Sequence, residues 1–236
     1  MLLKIGGGLS WLEFEILQKY PYIKHGVLVG SNDFYKAFDS KEVIKALFGL
    51  KDLALGVQKH EDQIIKIDLF DQVIQESSDA LFTEKKELAL GIFHADCQAA
   101  LFFDPVKKVI ANVHCGWRGN VLNILGKTVQ TLRDTFESDP KELIVCISPS
   151  LGPHRSEFIH YLNELPSSFY PFMFKQNYFD LWSVSQSQLV EAGVEKNHIE
   201  IAKMCTFENK EMFHSYRRDK SAKRNLTFVA ITSHEQ

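Results

Sequence analysis

Apolar residues in this chain fall mostly into short runs closed by polar turns, with few long amphipathic stripes. Runs of that kind read as strands at 26–30, 53–58, 63–67, 79–83, 88–93, 99–103, 108–114, 142–148, 199–203 and 226–232. Val109-Ile110-Ala111-Asn112-Val113 is nearly continuous, the pattern of a strand covered on both faces. Helical spacing is clearest after Gly119, where Val121, Leu122, Leu125, Val129, Leu132 and Phe136 step by three and four along one face. The pattern predicts shorter helices at 41–48, 156–164 and 180–192, the last closed by Gly193 as a C-terminal cap. No repeat, low-complexity tract or Pro/Gly/Ser linker divides the chain. The reading is one α/β (α+β) domain over 1–236, with more strand than helix.

Composition narrows the classes of function. With 236 residues the chain can bury a full core without a metal or disulfide. Its formal charge of −3 gives no support for broad electrostatic binding to nucleic acid. No apolar run approaches the ~20 residues of a membrane span, and the opening segment lacks a signal-peptide core and cleavage pattern. Cys97, Cys115, Cys146 and Cys205 are widely spaced with no C-x-x-C, which suits reduced thiols. The expectation is a soluble cytoplasmic protein.

Three strands deliver reactive side chains at their ends. Leu53 to Gln58 leads to His60, Leu88 to Phe93 leads to His94-Ala95-Asp96-Cys97, and Val109 to Val113 leads to His114-Cys115-Gly116-Trp117-Arg118-Gly119. Sheet ends suit catalysis because the sheet fixes the backbone while the loop exposes the side chain. Two imidazoles and one thiolate can hold zinc with a fourth position open to water. A Cys beside a His can instead act as a nucleophile. Taken singly, each of these residues is more often structural.

Gly116-Trp117-Arg118-Gly119 implies a tight turn into a helix starting near Asn120. Arg118 at such a helix start would hold an anion such as phosphate; alternatively it pairs with a carboxylate while Trp117 plugs the core. Arg217 and Arg218 are a second, weaker source of positive charge. Asp96 is either a proton carrier or a hydrogen-bond acceptor that orients its loop.

These segments resemble the YfiH-like family, whose members carry the label of multicopper polyphenol oxidoreductases with a laccase domain. Gln58-Lys59-His60 stands for the family's Q-x-H, Asp79-Ala80-Leu81-Phe82-Thr83 for D-A-L-x-T, and Ala95-Asp96-Cys97 for A-D-C. His114 to Gly119 stands for H-A-G-W-R-G, and Cys205-Thr206 with Phe213 to Arg218 for C-T followed by F-F-S-Y-R-R. The motifs keep the family's order from about residue 22 onward.

The resemblance implies a single domain of mixed sheet layers flanked by helices, unlike true laccases. It implies a zinc-capable site at His60, Cys97 and His114. It also implies phosphorolysis of purine nucleosides such as adenosine, inosine and methylthioadenosine, with adenosine deamination as a companion. Purine nucleoside and phosphate are then the binding partners, with Arg118, Gln58 and Arg217 toward substrate and His60, Cys97, His114 and Asp96 toward chemistry. Two rivals stand beside it: a Cys-His thiol hydrolase editing cell-wall precursors, and a non-enzymatic metal- or nucleotide-binding module. A true multicopper oxidase is rejected because the chain has no H-x-H pair, although S and N ligands can capture copper in vitro.

The chain departs from the family at several points. Val27-Leu28-Val29-Gly30-Ser31-Asn32-Asp33 lacks the Arg of T-R-x-G-G-V-S, which would alter substrate affinity if that Arg binds substrate. Cys115 replaces a small residue, and strand alternation predicts that it faces away from the site. His94 replaces a usual Thr and adds a potential ligand. The ligand trio itself is expected to converge on one pocket.

Overall fold

The computed structural model describes residues 1–30, 37–72 and 77–233. Strands β1 (Leu2–Gly6), β2 (Leu9–Glu13) and β3 (Ile23–Val29) precede helix α1 (Ala37–Phe48). Then follow β4 (Asp52–Leu55), β5 (Ile64–Lys66), β6 (Ala80–Thr83), β7 (Leu88–His94), β8 (Gln98–Asp104) and β9 (Val109–Cys115). Helices α2 (Trp117–Val121) and α3 (Ile124–Phe136) lead to β10 (Ile144–Ile147) and α4 (Tyr161–Glu164). The chain closes through β11 (Met173–Lys175), β12 (Tyr178–Phe179), α5 (Leu181–Glu191), β13 (Ile199–Ile201), α6 (Tyr216–Asp219) and β14 (Asn225–Ile231).

Two six-stranded mixed sheets result. One runs β1-β2-β3-β14-β7-β4, antiparallel except for β4 beside β7. The other runs β13-β10-β8-β9-β6-β5, with parallel pairs at both ends. The period of two explains the continuous apolar strands. On β8, Leu101 and Phe103 enter the core between the sheets, whereas Ala100 and Phe102 pack toward α3 and α5. A third cluster, including Trp11, Leu53 and Phe228, packs against Ile44 of α1. Asn112 is a buried polar residue within the apolar run of β9. Fully buried, it donates through Nδ2 to the Leu90 and Thr227 carbonyls at 2.9 Å each, tying one sheet to the other.

The expected elements are found, beside unexpected β11, β12 and α6, with three further differences. The hairpin β1-β2 was not anticipated, since its strands are short and interrupted by Gly6, Gly7 and Gly8. The helix expected at 156–164 shrinks to α4, because Phe158 turns into an apolar cluster with Phe169, Phe179 and Val184. The helix expected from Asn120 to Phe136 is broken at Asn123, whose φ of 54° is left-handed and whose side chain caps α3 by accepting from the Gly126 amide. Gly193 has a φ of 99°, as a residue just past a helix end requires. Ser31, Asn32 and Asp33 of the departing segment lie outside the described residues.

Candidate active site

The site lies where β4, β7 and β9 end. Beyond β4 the chain leaves its sheet and turns at His60, whose φ is 64°. That turn is held by one carboxylate. Asp79 accepts from the backbone amides of Lys59 (3.1 Å), His60 (3.0 Å) and Glu61 (2.9 Å), and its Oδ1 also receives His114 Nδ1 at 2.7 Å. Lys127 of α3 pairs with Asp62 and secures the same loop from outside. The Asp79 bond leaves Nε2 of His114 to face its neighbours. The ligand atoms of His60, Cys97 and His114 all lie within 4.8 Å of one another, with Cys97 Sγ 3.9 Å from His60 Nε2. Gly116 permits this crowding: a Cβ there would stand 2.9 Å from Cys97 Sγ and 3.2 Å from His60 Cδ2.

Cys97 sits after a second strained turn, with Asp96 at φ 86°. Both Asp96 oxygens are engaged, Oδ1 by Thr206 Oγ1 at 2.7 Å and Oδ2 by the Arg217 amide at 2.6 Å. Asp96 therefore orients the turn that carries Cys97 and fastens α6 beside it. Gln58 also braces: its amide donates to the Phe93 carbonyl (2.6 Å) and accepts from the Phe93 amide (3.1 Å), clamping the His60 loop to β7.

Charge within the trio is set by competition between burial and pairing. Burial alone would raise the Asp79 carboxyl, but His114 and the amides outweigh it and hold it below the ordinary range. Burial would also raise Cys97, yet the adjacent His114 and His60 bring it down to about 6. His114 moves the opposite way, up to about 9, because Cys97 and Asp79 overcome desolvation. Both shifts favour a thiolate beside an imidazolium in the metal-free corner.

The trio opens into a cavity of about 940 Å³. Phe93, Trp117, Phe158 and Tyr216 supply aromatic lining, while Arg217, Lys220 and Arg224 line it from α6 and the approach to β14. Glu157, His160 and Glu164 also line it, from the α4 segment. Arg118 does not. It is exposed, with its guanidinium 4.1 Å over the Trp117 ring, and Trp117 in turn packs edge-on against Phe158 at 5.8 Å. The helix that opens at this turn is the short α2, with Gly116 as its N-cap, and α3 starts afresh at Ile124 behind the Asn123 cap. Arg118 therefore lies in the first turn of α2 but outside the cavity lining, stacked on Trp117.

Cys115 packs among the apolar residues facing α3 and α5, outside the trio. His94 is likewise outside it, bonded through Nε2 to Thr227 Oγ1 at 2.7 Å; burial pushes its pKa down to about 3. Residues that the sequence reading left without a role are Asp79, Lys220, Arg224 and the cavity's acidic and aromatic lining. Asp79 sat in view within Asp79-Ala80-Leu81-Phe82-Thr83, and Lys220 and Arg224 follow Arg217-Arg218 closely. No signal in sequence spacing marks Glu157 or Phe158.

Fold and site define an α/β protein with a buried-edge His-Cys-His cluster fit for a metal, opening into a substrate-sized cavity. Over residues 33–232 the chain matches the family described as multi-copper polyphenol oxidoreductase laccase, and it belongs to that family. A purine nucleoside phosphorylase of Clostridium acetobutylicum is 33% identical over 202 residues, covering 81% of this chain and 82% of that protein. The purine nucleoside phosphorylase YlmD of Bacillus subtilis is 24% identical, covering 95% and 85%. The crystal structure of YfiH from Bacillus licheniformis shares the fold with a TM-score of 0.81 at 21% identity, covering 95% of this chain and 96% of that one. YlmD from Geobacillus stearothermophilus does so at 0.80 and 20% identity, covering 98% and 99%. Among the described residues no helix is long and apolar enough to cross a membrane.

Proposed function

We propose that the protein is a purine nucleoside phosphorylase of adenosine, inosine and methylthioadenosine-type nucleosides, with adenosine deamination as a side activity. The observation that carries this reading is the Asp79-anchored His60, Cys97 and His114 corner opening into a cavity with an arginine-bearing wall. The names of the relatives point the same way.

The donor set suits zinc. One sulfur and two nitrogens stand close enough for bonds of ~2.0–2.3 Å after small shifts, and Asp79 behind His114 is the usual carboxylate support of a ligating imidazole. Copper can occupy the same donors in vitro. Zinc held by His60, Cys97 and His114 would supply Lewis-acid polarisation for the deamination, in which adenosine and water give inosine and ammonia.

In phosphorolysis, a phosphate oxygen bonds to the sugar C1′ while the C1′–N bond breaks, giving free base and ribose 1-phosphate. The base nitrogen takes a proton as it leaves. In the metal-free corner, His60, on the exposed side of the trio, is the imidazole placed to deliver that proton. Phe158, Trp117 and Tyr216 offer apolar faces to a purine, and Arg217 offers a guanidinium to phosphate. Asp96 and Gln58 act through the loops they brace. Four unpaired cysteines agree with a reducing cytoplasm as the working compartment.

Mass spectrometry of products from adenosine and inosine, with and without phosphate, tests this reading. Free base with ribose 1-phosphate should form only when phosphate is present, and Cys97→Ala should abolish it. Absence of free base under those conditions overturns the phosphorylase reading. The lowered thiol of Cys97 favours one second reading, a thiol hydrolase acting on cell-wall precursors. Turnover of such substrates without phosphate or metal would establish it instead.

A further inference from the structure

The two arginines of Arg217-Arg218 diverge. Arg218 is committed to structure: it pairs with Asp219 at 2.7 Å and donates to the carbonyls of Thr206, Phe207 and Phe213. Arg217 turns the other way, into the cavity lining, where Nη2 donates to the Glu157 carbonyl at 3.2 Å. Arg224 reaches the same cavity and donates to the carbonyls of Ser221 and Lys223. Lys220 stands between them in sequence, with Nζ 5.2 Å over the Tyr216 ring. The partners of these three cations are carbonyls and an aromatic face, so their charge is not neutralised by those contacts.

The backbone at Lys220 adds an independent observation. It caps α6 in the left-handed region at φ 50°, its amide bonding the Tyr216 carbonyl. That conformation favours glycine, which pays no Cβ penalty there. A lysine in that position places a charge at the cavity at some cost to the backbone.

We propose that Lys220 is a specificity-determining residue that, with Arg217 and Arg224, cradles a tetrahedral dianion, namely the inorganic phosphate consumed in phosphorolysis. The proposal rests on the phosphorylase reading for its substrate and extends it in two ways. It moves the anion site from the Gly116–Gly119 turn to the α6 wall, and it assigns a role to a residue that the motifs do not name. The wall is also tethered to the chemistry, because the Arg217 amide bonds Asp96, the neighbour of Cys97. A phosphate held there lies beside the metal-binding corner. Glu164 lines the cavity too, from α4, and Glu157 meets Arg217 through its backbone carbonyl.

Two measurements on Lys220→Gly and Lys220→Arg test the proposal. Glycine suits the left-handed backbone, so the variant should fold with an unchanged or higher Tm. Its KM for phosphate should rise about tenfold while the nucleoside KM stays within about twofold, and Lys220→Arg should stay near wild type. Isothermal titration with inorganic phosphate alone should show the same loss of affinity without any turnover. Phosphate binding that depends on Lys220 in a protein that forms no free base would retain the anion site and sink the phosphorylase reading. Phosphorolysis whose phosphate KM ignores Lys220→Gly would do the reverse. Equal damage from Lys220→Gly and Lys220→Arg, or no phosphate binding by the wild type, also overturns the proposal.

Discussion

The two walls of the cavity are built on opposite principles. The His60, Cys97 and His114 corner is over-determined: four hydrogen bonds converge on buried Asp79, two left-handed residues hold the turns, and Gly116 clears the space between them. The Arg217, Lys220 and Arg224 wall is tied by carbonyls and ring faces, with Lys220 exposed and the two arginines half-buried. Chemistry at a metal or thiolate needs fixed geometry, so rigidity is concentrated there. Capture of a mobile anion needs accessible charge, which a buried ion pair would cancel.

The sharpest test of the rigid corner is Cys97→Ser. Turnover should fall more than about a hundredfold, and zinc content measured by elemental analysis should fall with it, since a residue merely supporting a ligand already costs about 10–100-fold. Unchanged turnover would mean that the corner is not where reaction occurs. Asp79→Asn keeps the shape but removes the charge and one acceptor site. Activity should drop about 10–100-fold, and chemical denaturation should show a loss of about 2–3 kcal/mol, because buried amides lose their acceptor.

The contrast between neighbouring arginines should appear next. Arg218→Ala should lower Tm by several degrees, as for a loss of about 2 kcal/mol of charged hydrogen bonding, whereas Arg217→Ala should chiefly raise the phosphate KM. A reversal of those two outcomes would erase the distinction drawn between the walls. Thiol chemistry sharpens it further. In the metal-free protein, alkylation of Cys97 should rise with pH through about 6, as the thiol there loses its proton. Cys115 and Cys146, pushed well above the usual thiol range by burial, should stay unmodified in the folded state. Peptide mapping after iodoacetamide reads all of them at once. The smallest effect belongs to Arg118→Lys, for which phosphate KM should stay within about twofold and stability within about 0.5 kcal/mol.

Much of this could be read from the chain. The strands at 88–93, 99–103, 108–114 and 226–232 correspond to β7, β8, β9 and β14, because residues buried on both faces leave unbroken apolar runs. The trio was visible as side chains at strand ends. What escaped was whatever depends on two distant segments meeting. Gln58 reads as a substrate contact and Asp96 as either a proton carrier or a loop-orienting acceptor, but the bonds they make to backbone and hydroxyl groups far along the chain show only in the structure. The Gly116–Gly119 turn marks Arg118 as an anion ligand beside a helix that the periodicity carries through Asn123. Only the backbone shows that the helix breaks there and starts again.

The sequence by itself determined the alternation of strands and helices, and it placed an imidazole or thiol just beyond three of them. Local pattern suffices for that, since burial of apolar faces dictates both period and register. The tertiary structure alone decided that Asp79 would hold His60 and His114 together, and that Lys220 and Arg224 would face the same space as Cys97. Those outcomes depend on where two packed sheets bring their edges, and hydrogen bonds between segments as far apart as Asp96 and Arg217 leave no periodic trace in the chain.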